Sequence, residues 1–168
     1  MSQTKGDFTM LKHSRLALSL AAALSMAAQT AIADGMANVE KFYGFFGTAP
    51  VTFPADAFNA LITDDWQSVG DYSGNTKDSA AFLKTMGGTA QFIPDFTIAV
   101  QDMHESGDVI VVRGRATGTP KGPFIGVDGE GRGFDVMTID IHEIRDGKIA
   151  RTYHVEDWAG AMRQLAGQ

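Results

Sequence analysis

Cysteine is absent from the 168 residues. No disulfide can brace the chain, and no thiol nucleophile or thiolate metal site can be built from it. Histidine is scarce. Only His104, His142 and His154 follow the N-terminal segment, with no spacing that suits zinc, so no metal site is expected. Basic residues are in the minority, 14 Lys and Arg against 20 Asp and Glu. That balance argues against nucleic acid or an anionic membrane as the main partner. Long apolar runs are lacking too. The one marked run, Leu16 to Ala28, is shorter than the roughly 20 residues a membrane-spanning helix needs. Stable membrane insertion is therefore not expected.

That run has another reading. Lys12, His13 and Arg15 precede it, and Ala31-Ile32-Ala33 follows as a small-x-small cleavage site. Residues 1–33 thus read as a signal peptide cleaved after Ala33, with Met10 as an alternative start and an uncleaved anchor as the competing reading. The product would be periplasmic or secreted. Without Lys5, Asp7, Lys12 and Arg15 the remainder holds 11 basic and 19 acidic residues, a formal charge of −8. Residues 34–168 are enough for one hydrophobic core, and no repeat or linker divides them.

Met36, Val39, Phe42, Tyr43 and Phe46 recur at helical spacing and predict a first helix ending near Gly47. Pro54 opens a second, with Phe58, Leu61 and Ile62 inside. Asp64 to Tyr72 reads as a strand or loop around Trp66. Asn75 or Thr76 is placed to cap a third helix that buries Ala81, Phe82 and Met86 and stops at Gly87-Gly88. Strands then follow at Phe96–Met103, Val109–Thr119, Phe134–Ile144 and Lys148–Glu156. Residues 120–133 form a glycine-rich loop with Phe124 and Ile125 tucked in. Asp157 caps a last helix carrying Ala161, Met162 and Leu165. Helices first and a strand meander later is an α+β order. The glycines of the loop do not lie between a strand and a helix, so they form no phosphate loop, and no Ser-centred nucleophile elbow is present.

The hairpin at Arg145-Asp146-Gly147-Lys148 decides which side chains share a face. A two-residue turn pairs Arg145 with Lys148 and mixes polar with apolar groups. A three-residue loop with a bulged Gly147 pairs Ile144 with Lys148 and segregates them. In that register Thr138, Asp140, His142, Thr152, His154 and Glu156 share one face. Thr138 then opposes His154, Asp140 opposes Thr152, and Asp140 and His154 are diagonal neighbours. Met137, Ile139, Ile141, Ile149, Tyr153 and Val155 take the other face. Alternation on the next strand places Arg113 and Arg115 with the acids, although structural ion pairs are the simpler role for them.

Pro94-Asp95-Phe96, Gly118-Thr119 with Gly122, Phe124 and Gly126, Ile139-Asp140-Ile141, Arg145 to Ile149 and Tyr153-His154-Val155 resemble the SnoaL-like polyketide cyclases. These are also called predicted ester cyclases, within the nuclear transport factor 2-like superfamily. The resemblance spans residues 94–167. It implies a cone-like, curved antiparallel sheet wrapped around N-terminal helices, a cystatin-like roll with a deep pocket. It also implies no cofactor and a homodimer. In those cyclases a carboxylate on the last strand works with a histidine on the preceding one. His154 and Asp140 occupy those positions with the two types exchanged, and Pro120 stands where a histidine often follows Gly-Thr.

The leading expectation is thus a pocket for a small carbonyl or polyketide-like molecule. His154 is the candidate acid–base group and Asp140 its partner. Arg113 or Arg115 would stabilise an anion, Trp66 and Tyr72 would line the mouth, and Thr138 and Thr152 would share the polar face. His142, nearer the hairpin end, is expected in solvent. The chemistry would be of a cyclase, isomerase or lyase. A non-catalytic binding protein with the same pocket, or a purely structural module, is the alternative. The apolar face of the sheet, left outside the cone, predicts a homodimer through the sheet.

Overall fold

The computed structural model describes residues 33–168. The expected signal peptide lies outside these residues, apart from Ala33 itself. Residues 33–44 are helical (α1). There follow α2 (Ala55–Leu61), β1 (Ile62–Val69), β2 (Thr76–Lys77), α3 (Ser79–Phe92), β3 (Thr97–Ser106), β4 (Val109–Gly118), β5 (Phe134–Arg145), β6 (Lys148–Glu156) and α4 (Trp158–Leu165). Among the described residues no helix is long and apolar enough to cross a membrane.

One six-stranded sheet has the order β2-β1-β6-β5-β4-β3. Its neighbours are antiparallel except β1 and β6, which run parallel. That parallel pair joins the α2–β1 segment to the C-terminal meander and closes the helical side of the roll. Helix α1 lies on the inner face, with Val39, Phe42, Tyr43 and Phe46 all buried. Midway along it Asn38 donates to the carbonyl of Gly147, 2.8 Å away, which ties the helix to the β5–β6 turn. Phe42, Phe53, Phe58 and Phe82 pack ring against ring and fasten α1, α2 and α3 together. Truncating an aromatic ring buried to this degree costs about 3–5 kcal/mol, so this cluster is a principal source of stability.

Two helix boundaries differ from expectation. Asp78, not Asn75 or Thr76, caps α3, its carboxylate accepting from the backbone N–H of Ala81 at 2.8 Å. The helix also runs through Gly87-Gly88 to Phe92, leaving Ala81 exposed. A glycine pair costs about 1 kcal/mol per residue in a helix interior. Here Phe82 and Ile93, buried on either side of the pair, hold the helix to the core. In the loop after β4, Phe124 stacks on Phe134 and meets Trp158 edge-on, while Ile125 is exposed. Ile125 sits at a left-handed φ of 51° in a tight turn closed by Phe124 and Val127, which aims its side chain outward.

The β5–β6 hairpin also departs from the expected register. Arg145 pairs with Lys148 across Asp146-Gly147, whose φ values of 52° and 76° are those of a type I′ turn. The register then shifts between Glu143 and Ile144, leaving Ala150 unpaired as a bulge on β6. The bulge returns the strand to the phase expected from patterning, so the faces are as anticipated. The partners move by two residues, however: Asp140 lies directly opposite His154, Thr138 opposite Glu156 and His142 opposite Thr152. Ile149, before the bulge, faces inward with Ile144 and is fully buried rather than on the outer face.

Candidate active site

Alternation along β5 buries Phe134, Val136, Thr138, Asp140, His142 and Ile144 and exposes Asp135, Met137, Ile139 and Ile141. The buried set faces the helices, and between them lies a cavity of about 440 Å³. Its walls are apolar and largely aromatic, including Phe42, Phe46, Phe82, Phe96, Phe124 and Trp158. Its ionisable cluster comes from the two central strands: Asp140 on β5, and His154 and Glu156 on β6, with Thr152 beside them. Expulsion of water by aromatic walls and a few convergent polar groups is the usual make-up of a small-molecule site.

Within that polar end, His154 Nδ1 lies 2.6 Å from Asp140 Oδ1, and Nε2 lies 3.2 Å from Glu156 Oε2. The imidazole is bracketed by carboxylates. Both carboxylate side chains are almost fully buried, at 4% and 7% exposed, whereas the imidazole is 32% exposed. Burial by itself disfavours the imidazolium. The hydrogen bonds and charges of Asp140 and Glu156 outweigh it and push the His154 pKa up to about 10. At neutral pH this site holds an imidazolium between two carboxylates.

A second chain of hydrogen bonds supports Asp140 from behind. Trp66 Nε1 donates to Thr152 Oγ1 at 3.2 Å. The same hydroxyl is 3.0 Å from His142 Nδ1, and His142 Nε2 is 3.2 Å from the Tyr43 hydroxyl. Burial, then the charge of Asp140 and a hydrogen bond to it, keep the Tyr43 hydroxyl protonated well above its ordinary range. Burial likewise pulls His142 down to about 4, against the opposing pull of Asp140, so His142 is neutral. An indole can only donate and a carboxylate can only accept. One arrangement therefore satisfies every member: Trp66 to Thr152, Thr152 to His142 Nδ1, His142 Nε2–H to Tyr43, and Tyr43 to Asp140. The two histidines on this face differ in charge because His142 hydrogen-bonds only to hydroxyls, whereas His154 meets two carboxylates.

The structure brings Asp140, His154, Thr152 and Trp66 together around the cavity. Tyr72 is fully exposed in the β1–β2 turn and does not line it. Arg113 and Arg115 project from the opposite face of the sheet. Strand β4 sets Val112, not Arg113, across from Asp140, so both arginines fall on the outer side. There Arg113 pairs with Asp102 and Arg115 with Asp135, the ion-pair role that patterning favoured. Thr138 faces inward but does not line the cavity; it is fully buried, its Oγ1 without a hydrogen-bond partner. His142, expected in solvent, is fully buried. Patterning sets Glu156 on this face without marking it as a site residue. Its alternation with His154 is the signal that could have found it. Tyr43 carried no signal beyond its helical period. Among the described residues no cluster of His, Asp and Glu is arranged to hold a metal ion.

Residues 48–165 match the family model of the SnoaL-like polyketide cyclases, and the chain belongs to that family. No match was found among curated proteins. Among solved structures, wild-type IdmH from Streptomyces antibioticus, a candidate polyketide cyclase, is 26% identical with a TM-score of 0.65, covering 79% of this chain and 98% of its own. TsrD from Streptomyces laurentii is 22% identical with a TM-score of 0.66, covering 81% and 97%. A candidate SnoaL-like cyclase from Jannaschia sp. CCS1 is 19% identical with a TM-score of 0.66, covering 81% and 94%. The latter two likenesses speak to the fold alone.

Proposed function

We propose that this SnoaL-like domain binds a small carbonyl compound and moves a proton at the carbon beside the carbonyl, without a cofactor, as a cyclase, isomerase or lyase does. The observation that carries the reading is the Asp140–His154–Glu156 triad at the polar end of an aromatic cavity. With His154 already protonated, it serves as the acid rather than the base. Glu156 takes the proton from carbon. As Glu156 becomes neutral, its hold on His154 Nε2–H weakens, and the forming enolate oxygen beside Nε2 takes over that hydrogen bond. The donor is thus released only as charge develops, which favours the transition state over the ground state. Asp140, braced by Tyr43, holds Nδ1 and fixes the ring. The proton on Glu156 then returns to the product at a different atom.

The test is deuterium uptake. The protein, incubated in heavy water with a panel of aryl ketones, should exchange the hydrogens beside the carbonyl faster than buffer does. Glu156→Gln and His154→Ala should abolish the excess while the fold is retained. The near-complete burial of both carboxylates favours a second reading, a binding protein without chemistry. A ligand that co-purifies and is recovered unchanged, with no exchange by the wild type, would select it.

Two further features belong to this proposal. The chain is exported, so that the mature protein begins at Asp34; an intact mass beginning earlier would refute that. The mature protein also pairs with a second copy through the outer sheet face, where Met137 and Val155 are more than half exposed beside Ile139 and Ile141. Charges of both signs flank this strip, Arg113 with Asp102 and Arg151 with Glu143, as a self-complementary twofold contact requires. A monomeric mass by light scattering would overturn it.

A further inference from the structure

The polar end of the cavity is rich in acceptors and poor in donors. His154 Nδ1 is spent on Asp140, and Nε2 is held at Glu156. Trp66 donates to Thr152, and the hydroxyls of Thr85 and Thr89 donate back to helix carbonyls at 2.9 and 3.1 Å. Tyr43 is committed between His142 and Asp140. Against these, Glu156 lines the cavity, and among the described residues no hydrogen bond engages its Oε1, the oxygen turned away from the contact with His154. Two carboxylates against one imidazolium leave the triad with one net negative charge. The donors left for a ligand are the exposed Lys77 and the Ser68 hydroxyl and Trp158 indole on the walls. None of them adds a buried positive charge, and an exposed lysine is screened by solvent.

Resting on the carbonyl-compound reading above, we propose that the site selects flat, uncharged ligands presenting a hydroxyl donor, a phenol or enol, to Glu156, and rejects the corresponding carboxylates. A hydroxyl would satisfy the free oxygen with a charge-assisted hydrogen bond. A carboxylate would meet like charge in a desolvated pocket and would have to displace Glu156 to reach an N–H. The aromatic walls accept either ring system, so the polar end decides.

Three probes of one shape separate these terms: naphthol, naphthoate and methoxynaphthalene with the substituent at the same ring position. Calorimetric titration of the wild type should give naphthol at least about tenfold tighter than either of the others, the ratio worth about 1.4 kcal/mol. In Glu156→Gln, shown to be folded by its near-ultraviolet dichroism, the preference for naphthol over naphthoate should fall by about tenfold or more, because the net charge of the triad is cancelled. Naphthoate binding as tightly as naphthol would overturn the charge selectivity, and equal binding of methoxynaphthalene would overturn the donor requirement. Failure of all three to bind would overturn both this inference and the pocket reading. Normal selectivity without deuterium exchange would instead sink only the chemistry.

Discussion

Acidification from about pH 7.5 to about pH 5 should remove about 2 kcal/mol of folding stability through His142 alone. The unfolded chain binds a proton there near the ordinary histidine value of 6.5, whereas the folded state resists it until about 4. Between those values the unfolded state holds more protons, so stability rises with pH, by at most about 1.4 kcal/mol per pH unit. His142 is fully buried, so little solvent screens the penalty. Urea unfolding at a series of pH values, in wild type and His142→Gln, isolates it. Glutamine can still accept from Thr152 and donate to Tyr43 but cannot titrate. The difference between the two proteins should steepen below about pH 6.5 and level off near pH 4. Parallel pH profiles would refute the reasoning, because they would mean that His142 protonates in the folded state as readily as in the unfolded one. His154 acts with the opposite sign. Its folded value is raised to about 10, so its contribution is fully present below 6.5 and is lost as pH rises toward 10. Together the two histidines place the stability maximum close to pH 6.5, and a His154→Gln variant should lose only the alkaline limb.

Three substitutions test the surroundings of the site. Thr138→Val removes a buried hydroxyl that has no partner and should stabilise the protein by about 1 kcal/mol in urea unfolding; a loss of that size would reveal a hidden partner. Gly114→Ala would put a methyl 2.5 Å from Thr138 Oγ1 and 2.8 Å from Ile98 Cγ2. It should cost about 1–3 kcal/mol. Adding Thr138→Ala should recover part of that loss, and strict additivity would argue against the clash. Tyr43→Phe deprives His142 Nε2–H of its acceptor. Nitrogen NMR should show the His142 tautomer moving from Nε2–H to Nδ1–H, with stability lower by about 1–3 kcal/mol, and a wild type already in the Nδ1–H form would contradict the directional chain.

The fold was legible where one physical requirement dominated the residues. The period of Val39, Phe42, Tyr43 and Phe46 and the alternation from Phe134 to Ile144 each expose one buried face, and both elements appear where patterning put them. Asp157 caps α4 as its position before an apolar run suggested. The errors arose where local and tertiary effects compete. Gly87-Gly88 is a stop by propensity, but core contacts on both sides carry the helix across it. Patterning demanded a change of phase at the β5–β6 hairpin and assigned it to the turn. The chain instead keeps the favourable Asp-Gly type I′ turn and makes the change at Ala150, a residue with no bulge signature of its own. Correct faces with pairs displaced by two residues follow directly from that substitution of one irregularity for another.

The site was legible as a face and illegible as a circuit. The phase of the hairpin sets Asp140 and His154 on one face, and parity along β6 adds Glu156, because residues two apart on a strand project together. What parity cannot supply is depth. His142 and His154 share the face and the residue type, yet one ends neutral and the other charged. The difference lies in Tyr43, which reaches His142 from a helix 99 residues earlier, and in Glu156, which reaches His154 from its own strand. The arginines of β4 show the converse. Their alternation with Val112, Gly114 and Ala116 is plain in the sequence, but which of the two sets faces inward depends on the pairing of β4 with β5. Gly114 settles it: only a residue without a side chain fits across from Thr138, so the even-numbered set turns toward the crowded interior and Arg113 and Arg115 toward water.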